Sequence, residues 1–308
     1  MTLTAYEVRP HPLSIVIFSK DRAAQLDLCL KSINKNLSAL SEHWKIYVIY
    51  ASSSKEFDDG YNELIKEYYS KPNSIYFFPE HKYKGFKKTL EYCMKHWEDY
   101  VLFFTDDDIV YRKFEHKFNL IKAKFESHEK LLSISLRLGL NTFVQDQYQN
   151  TMCFIPDEVM RQEKTIRTWD WKQESANYGS TNFGYPFSVD GHLYSSKDAK
   201  WIIDNLPGYH NPNTLEGKAH RVHVMDEEYA QNLSEQMACF EKSYVVNTPN
   251  NRVQETFTNG AGKFFNSTAK ELNEEFLKGN RLSLEEMDFS TIIGVHQELK
   301  LCWGEKCY

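Results

Sequence analysis

Tyr100-Val101-Leu102-Phe103-Phe104-Thr105-Asp106-Asp107-Asp108-Ile109 decides the fold: five residues suited to a buried strand run straight into three consecutive carboxylates. A strand that is apolar on both faces belongs inside a parallel sheet. In open α/β sheets, ligands gather beyond the carboxyl ends of the strands. Three adjacent acids repel one another in a bare turn. A divalent cation bound with a polyphosphate removes that repulsion, because the metal holds both sets of anions together.

Outward from this stretch, strands and helices alternate. Ser14-Ile15-Val16-Ile17-Phe18, Ile46-Tyr47-Val48-Ile49-Tyr50 and Ser74-Ile75-Tyr76-Phe77-Phe78 read as strands before it, and Leu131 to Leu136 as one after it. Between them, Leu26, Leu30, Ile33, Leu37 and Leu40 recur at helical spacing, as do Tyr61, Leu64, Ile65 and Tyr68, and then Phe86, Leu90, Cys93, Met94 and Trp97. Phe114, Phe118, Ile121 and Phe125 mark a helix after the acids, and Asp21 is placed to cap the first helix. This alternation predicts an α/β fold with a mainly parallel central sheet and helices on both faces. There is no Gly-x-Gly-x-x-Gly and no Walker A motif, so neither a dinucleotide-binding fold nor a P-loop fits.

The second half is less regular. Residues 141–187 are rich in Asn, Gln, Tyr and Trp with little periodicity. Ser188 to Tyr194 reads as a strand, 197–206 as a helix, Ser243 to Asn247 as a strand, Ala269 to Lys278 as a helix and Ile292 to His296 as a last short strand. No Pro/Ser-rich linker divides the chain, which predicts one domain over 1–308 with two functional halves, about 13–110 and about 111–308.

Composition excludes several classes. The chain has 308 residues, 41% of them hydrophobic, and a net charge of −6, which argues against a general nucleic-acid binder. No apolar run is long enough for a transmembrane helix, although peripheral membrane contact is compatible with the sequence. The N-terminus lacks the pattern of a secretory signal. The six cysteines (29, 93, 153, 239, 302 and 307) form no C-x-x-C pair, which predicts reduced thiols and a cytoplasmic setting. The sequons at Asn36, Asn232 and Asn266 are then chance matches.

The order of elements resembles the A-type fold of nucleotide-sugar glycosyltransferases, and is most similar to the family-2 group. Ser14 to Arg22 resembles that family's opening strand and loop, Thr105-Asp106-Asp107-Asp108 its D-x-D element, and Gly191 to Ser196, a helix and then Leu215-Glu216 its later acidic stretch. The resemblance covers roughly residues 13 to 220. Two departures stand out. The second strand ends in Tyr50-Ala51-Ser52-Ser53 where the family has an acid, and Gly217 follows Glu216 where an Asp is usual.

The resemblance implies a transferase that uses a nucleoside-diphosphate sugar, a glycan or lipid-linked acceptor, and Mn2+ or Mg2+ as a Lewis acid at the leaving phosphate. Expected metal ligands are Asp106 and Asp108, with His296 as a further ligand; Asp107 is expected to point away. Ser19, Asp21, Arg22, Ser52, Lys87 and Asp106 are the candidates for the donor. Glu216 is the first candidate for the base of an inverting transfer and Asp190 the second. Trp169 and Trp171, flanking Asp170, could stack on an acceptor sugar or fill the core. Other readings are a sugar-phosphate nucleotidyltransferase, disfavoured because Phe18 to Arg22 contains no glycine, and a non-catalytic sugar-binding protein on the same fold.

Overall fold

A computed structural model describes residues 12–69, 75–146, 151–179, 181–253, 261–265 and 267–304. Ser74, Asn266 and Cys307 lie outside the described residues, as do the side chains of Glu227 and Glu228.

The first half comprises β1 (Leu13–Lys20), α1 (Ala23–Asn36), β2 (Trp44–Ala51), α2 (Lys55–Tyr69), β3 (Ile75–Pro79), α3 (Phe86–Met94), β4 (Tyr100–Thr105) and β5 (Asp108–Val110). There follow α4 (Phe118–Ser127), β6 (Leu131–Ser135), β7 (Val144–Asp146), β8 (Thr151–Met152), α5 (Asp157–Arg161), β9 (Ile166–Asp170) and α6 (Trp171–Tyr178). The chain continues through β10 (His192–Ser195), α7 (Ser196–Asp204), α8 (Pro212–Met225), α9 (Glu227–Ala230), β11 (Gln236–Phe240), β12 (Val245–Asn247) and α10 (Ala269–Leu277).

Eight strands form one sheet in the order β3-β2-β1-β4-β10-β6-β11-β9. The first four are parallel, β10 runs antiparallel to both neighbours, β11 is parallel to β6, and β9 is antiparallel to β11. The expected mainly parallel α/β class is the one observed. Strand period explains the two-sided core. Leu13, Ile15 and Ile17 of β1, with Leu102 and Phe104 of β4, pack against α1, α2 and α10 through Leu30, Leu64 and Phe276. Val16 and Phe18, with Val101 and Phe103, face α3, α7 and α8 through Leu90, Ile202 and Leu215. Truncating one of these, such as Leu30→Ala, costs ~2–5 kcal/mol.

The sheet order reverses direction at β1, since β2 lies on one side of it and β4 on the other. The crevice beyond the carboxyl ends of β1 and β4 is therefore the topological switch point at which α/β sheets hold ligands. The acids after β4 lie on it, with the Asp106 amide bonded to the Phe18 carbonyl at 3.0 Å. β12 pairs with β5, placing Asn247 opposite Asp108.

Some expected boundaries move. The segment read as a strand from Ser188 forms β10 only from His192, because Gly191 turns with φ +66° and a Cβ there would meet the Val245 side chain at 3.2 Å. Ile292 to His296 makes isolated bridges at Gly294 and His296 rather than a full strand. β9 and β11 were not read from the sequence. Cys29, Cys93, Cys153, Cys239 and Cys302 are free thiols. No helix among the described residues is long and apolar enough to cross a membrane.

Candidate active site

Both sides of the switch point contribute charge. From β1, the chain turns at Asp21 with φ +56°, a left-handed conformation that aspartate tolerates better than most residues. The turn holds because the Asp21 amide donates to the Ala51 carbonyl at 3.1 Å and its carboxylate accepts the Ser53 amide at 2.6 Å. Asp21 therefore ties the ends of β1 and β2 together and does not cap α1, whose N-cap is Arg22 without a side-chain bond. Ser52, just past β2, donates to Asp58 at 3.3 Å.

Arg22 leaves this turn buried and reaches the acids. Its Nη1 lies 2.9 Å from Asp106 and 2.8 Å from Asp107, and its Nε donates to Asn251 Oδ1 at 2.7 Å. Asp106 also accepts the Ser19 hydroxyl at 2.8 Å and the Lys20 amide at 3.0 Å. Burial works against the charge on Arg22, yet Asp107 and Asp106 together hold its pKa above the ordinary value. Asp106 is pushed up to about 6 by burial, against the pull of Arg22.

A second arginine stands on the other side. Arg137, 4% exposed and just beyond β6, donates from Nη1 to Asp190 at 3.1 Å and to His296 Nε2 at 2.9 Å, and from Nη2 to Ser188 at 3.2 Å. Because guanidinium nitrogens only donate, His296 Nε2 must accept, so the ring proton sits on Nδ1. That nitrogen faces Asn247 Oδ1 at 3.1 Å, which turns the Asn247 amide nitrogen toward Asp107 at 2.9 Å and Asp108 at 3.2 Å.

Between the two arginines lies Thr105. Its single hydroxyl is within 2.9 Å of Asp107, 3.0 Å of Asp190 and 3.4 Å of Asp108. One proton cannot satisfy three carboxylates. Burial first, then the charges of Asp190 and Asp107, raises Asp108 well above the usual carboxylate range. Asp190 is raised too, by burial against the pull of Arg137. Glu216, on α8, accepts the Val189 amide at 2.6 Å and is pushed to about 7 by burial and then by Asp190. The two candidate bases are thus neighbours.

The expected metal set is not assembled. Carboxylate oxygens are the hard donors that Mg2+ and Mn2+ take. However, both oxygens of Asp106, Asp107 and Asp108 already accept hydrogen bonds, and both ring nitrogens of His296 are engaged. Among the described residues no group of three or more His, Cys, Asp or Glu side chains could hold a metal. As placed, Asp106, Asp108 and His296 do not fit a resident ion. Asp107, expected to point away, instead shares Arg22 with Asp106.

Other expectations also change. Lys87 lies on α3, 3.9 Å from Glu91 and 5.3 Å from the Tyr209 ring centroid, rather than among the acids. Trp169 and Trp171 are buried, with their indole N–H groups donating to the carbonyls of Phe183 and Ser234 at 2.7 Å, so they fill the core and offer no face to an acceptor. Asp170 caps α6 through the amides of Lys172 and Gln173. Arg137, Asn247, Asn251 and Thr105 were not singled out in the sequence. The readable signal for Arg137 was an arginine two residues past the buried strand β6.

No protein-family model matches the sequence, and no curated protein does. Among solved structures the chain is similar to S. aureus TarS, with 16% identity over 76% of this chain and 36% of TarS and a TM-score of 0.44. It is similar to GalNAc-T7 with UDP, GalNAc and Mn2+, with 12% identity over 87% of this chain and 48% of that one and a TM-score of 0.45. A third is glucosyl-3-phosphoglycerate synthase from Mycobacterium tuberculosis in complex with Mn2+, UDP and phosphoglyceric acid, with 9% identity over 79% and 72% and a TM-score of 0.42. The chain spans less than half the length of the first two. All three scores lie below 0.5, so the weight of a functional reading falls on this chain's own residues.

Proposed function

We propose that the chain is a glycosyltransferase that moves a sugar from a nucleoside-diphosphate sugar to a hydroxyl of a glycan or lipid-linked acceptor. The observation that carries this reading is the convergence of the Asp106–Asp108 acids and Arg22 with the Asp190–Glu216 carboxylate pair at the β1/β4 switch point. The donor lies along the ends of β1 and β2, over Ser19, Asp21 and Ser52, with Asp106 at the ribose. Lys87, paired with Glu91 and 5.3 Å from the Tyr209 ring, has no part in holding the donor in this reading.

Arg22 and Arg137 are already paired with Asp106, Asp107 and Asp190, so the site offers a bare pyrophosphate little free positive charge. The donor therefore enters as its complex with Mn2+ or Mg2+, the cation being part of the substrate. In the transfer, the bond between the anomeric carbon and the diphosphate oxygen breaks and the electron pair leaves with the nucleoside diphosphate. The acceptor oxygen bonds to the anomeric carbon from the opposite face and gives its proton to Glu216. A carboxyl near pH 7 is well matched to that step. Asp190, held by Arg137, orients the donor sugar and is the second candidate for the base.

A thermal-shift panel of nucleoside diphosphates, with and without Mn2+, tests this. A ligand that binds only the native state raises its melting temperature. One nucleoside diphosphate with Mn2+ is expected to stabilise the protein, with the effect removed by a chelator. The complete internal bonding of the acids favours one competing reading, a non-catalytic sugar-binding protein. Stabilisation by free sugars alone, with no nucleotide or metal effect, would select it.

A further inference from the structure

We infer that the outer face formed by β3, the short turn Glu80–Tyr83 and α3 docks the protein onto an anionic lipid bilayer. β3 is an edge strand of the sheet. Tyr76, Phe78, Tyr83 and Tyr92 lie along this face, with Tyr76 47% and Tyr92 39% exposed. The rings pack on one another: Phe78 to Tyr83 at 6.0 Å, Phe78 to Tyr92 at 5.9 Å and Tyr83 to Tyr92 at 4.9 Å.

Around them, five lysines (82, 84, 87, 88 and 95) stand against Glu80 and Glu91, while beyond Trp97 Glu98 is paired with Lys45 and Asp99 is exposed. Glu91 is occupied by Lys87 and Lys88, while Lys82, Lys84 and Lys95 are exposed and make no ion pair among the described residues. His81 and His96 are exposed beside them. In a chain whose net charge is −6, this is a local excess of positive charge.

Both parts match a lipid surface. Tyrosines with an apolar body and a polar tip settle at the bilayer interface. Each lysine near an anionic leaflet multiplies partitioning about fivefold. A single-stranded nucleic acid needs open ring faces for stacking, whereas Phe78, Tyr83 and Tyr92 are tilted against one another and Tyr76 stacks on Tyr47. The location also fits. The turn follows the carboxyl end of β3, on the same edge of the sheet as the acids, and Lys87 over Tyr209 joins α3 to the loop before α8, which carries Glu216. A bilayer held here lies beside the mouth of the site. Docking does not depend on the sugar-transfer reading; only its consequence, a lipid-borne acceptor, rests on that reading.

The test is co-sedimentation of the full chain with phosphatidylcholine vesicles, with and without phosphatidylglycerol. Binding is expected to the anionic vesicles only and to disappear in high salt. The combined Lys82→Gln, Lys84→Gln and Lys95→Gln variant is expected to bind about 100-fold more weakly. Tyr92→Ser is expected to weaken binding at fixed salt while leaving any nucleotide-induced thermal shift unchanged. Absent binding, equal binding to neutral and anionic vesicles, or undiminished binding by the lysine variant overturns the inference. So does a preference for a soluble polyanion such as RNA over vesicles.

Discussion

The two arginines of the site do different work. Arg22 is shared by Asp106 and Asp107 and anchored by Asn251, so on its side two acids meet a guanidinium with most of its donors engaged. Arg137 divides its Nη1 between Asp190 and a neutral histidine, while Asp108 and Glu216 are left to compete for protons nearby. Charge is better compensated on the β1 side, where the proposed function puts the nucleotide. It is under-compensated on the β6 and α8 side, where a carboxyl is held near pH 7 and a proton can be taken up. Compensation suits binding; its shortage suits acid–base chemistry.

The sharpest way to break this contrast is Glu216→Gln. Transfer is expected to fall by ~10²–10⁴-fold, while the nucleotide-induced thermal shift stays as in the parent protein. Near-normal turnover would move the base to Asp190. Next in size, Arg137→Met leaves Asp190 buried without its partner and is expected to cost ~3–5 kcal/mol in urea unfolding. Adding Asp190→Asn to that variant should recover part of the loss, and no recovery would show that Arg137 acts elsewhere.

Acidity offers a smaller, graded test. With Glu216 pushed to about 7, the transfer rate is expected to rise up to tenfold per pH unit below that value and to level off above it. That limb should vanish in Glu216→Gln. The stability effect has the opposite sign. A carboxyl whose folded pKa lies above its ordinary 4.5 binds more protons in the native state between 4.5 and about 7, so its contribution falls as pH rises through that window. Smallest of all, His296→Ala removes both the acceptor for Arg137 and the donor to Asn247 and is expected to cost ~1–3 kcal/mol, the net value of two hydrogen bonds; no measurable loss would show that the ring orients neither partner.

The same contrast marks what could be read from the sequence. β1 to β4 and α1 to α3 are legible because each strand is a continuous apolar run and each helix repeats at 3.6 residues, both set by local burial. Asp106 and Asp108 could be singled out because three acids directly after a buried strand are unusual locally, whereas Asp190 and Glu216 were reached through the resemblance of residues 191–216 to the family's later acidic stretch. Their partners could not. Asn247 reaches the acids, and Asn251 reaches Arg22, only because β12 pairs with β5 across more than 130 residues, and an asparagine at or after a strand end looks ordinary. Trp169 and Trp171 could not be assigned to core or surface until β9 was known to pair with β11. The expected metal set is not assembled as placed for a related reason: spacing would put Asp106 and Asp108 on one side of an extended chain, but the chain turns at Asp106, and Arg22 and Asn247 take the oxygens.

The most direct measurement is a crystal structure with a nucleoside diphosphate and Mn2+ soaked in. The expected result is the diphosphate and its cation between the ends of β1 and β4, with Asp106 against the ribose and the Asp107 or Asp108 carboxylate turned from Asn247 to the metal. A nucleotide bound elsewhere, or an unchanged Arg22–Asp106–Asp107 cluster with nothing beside it at saturating ligand, would contradict the assignment.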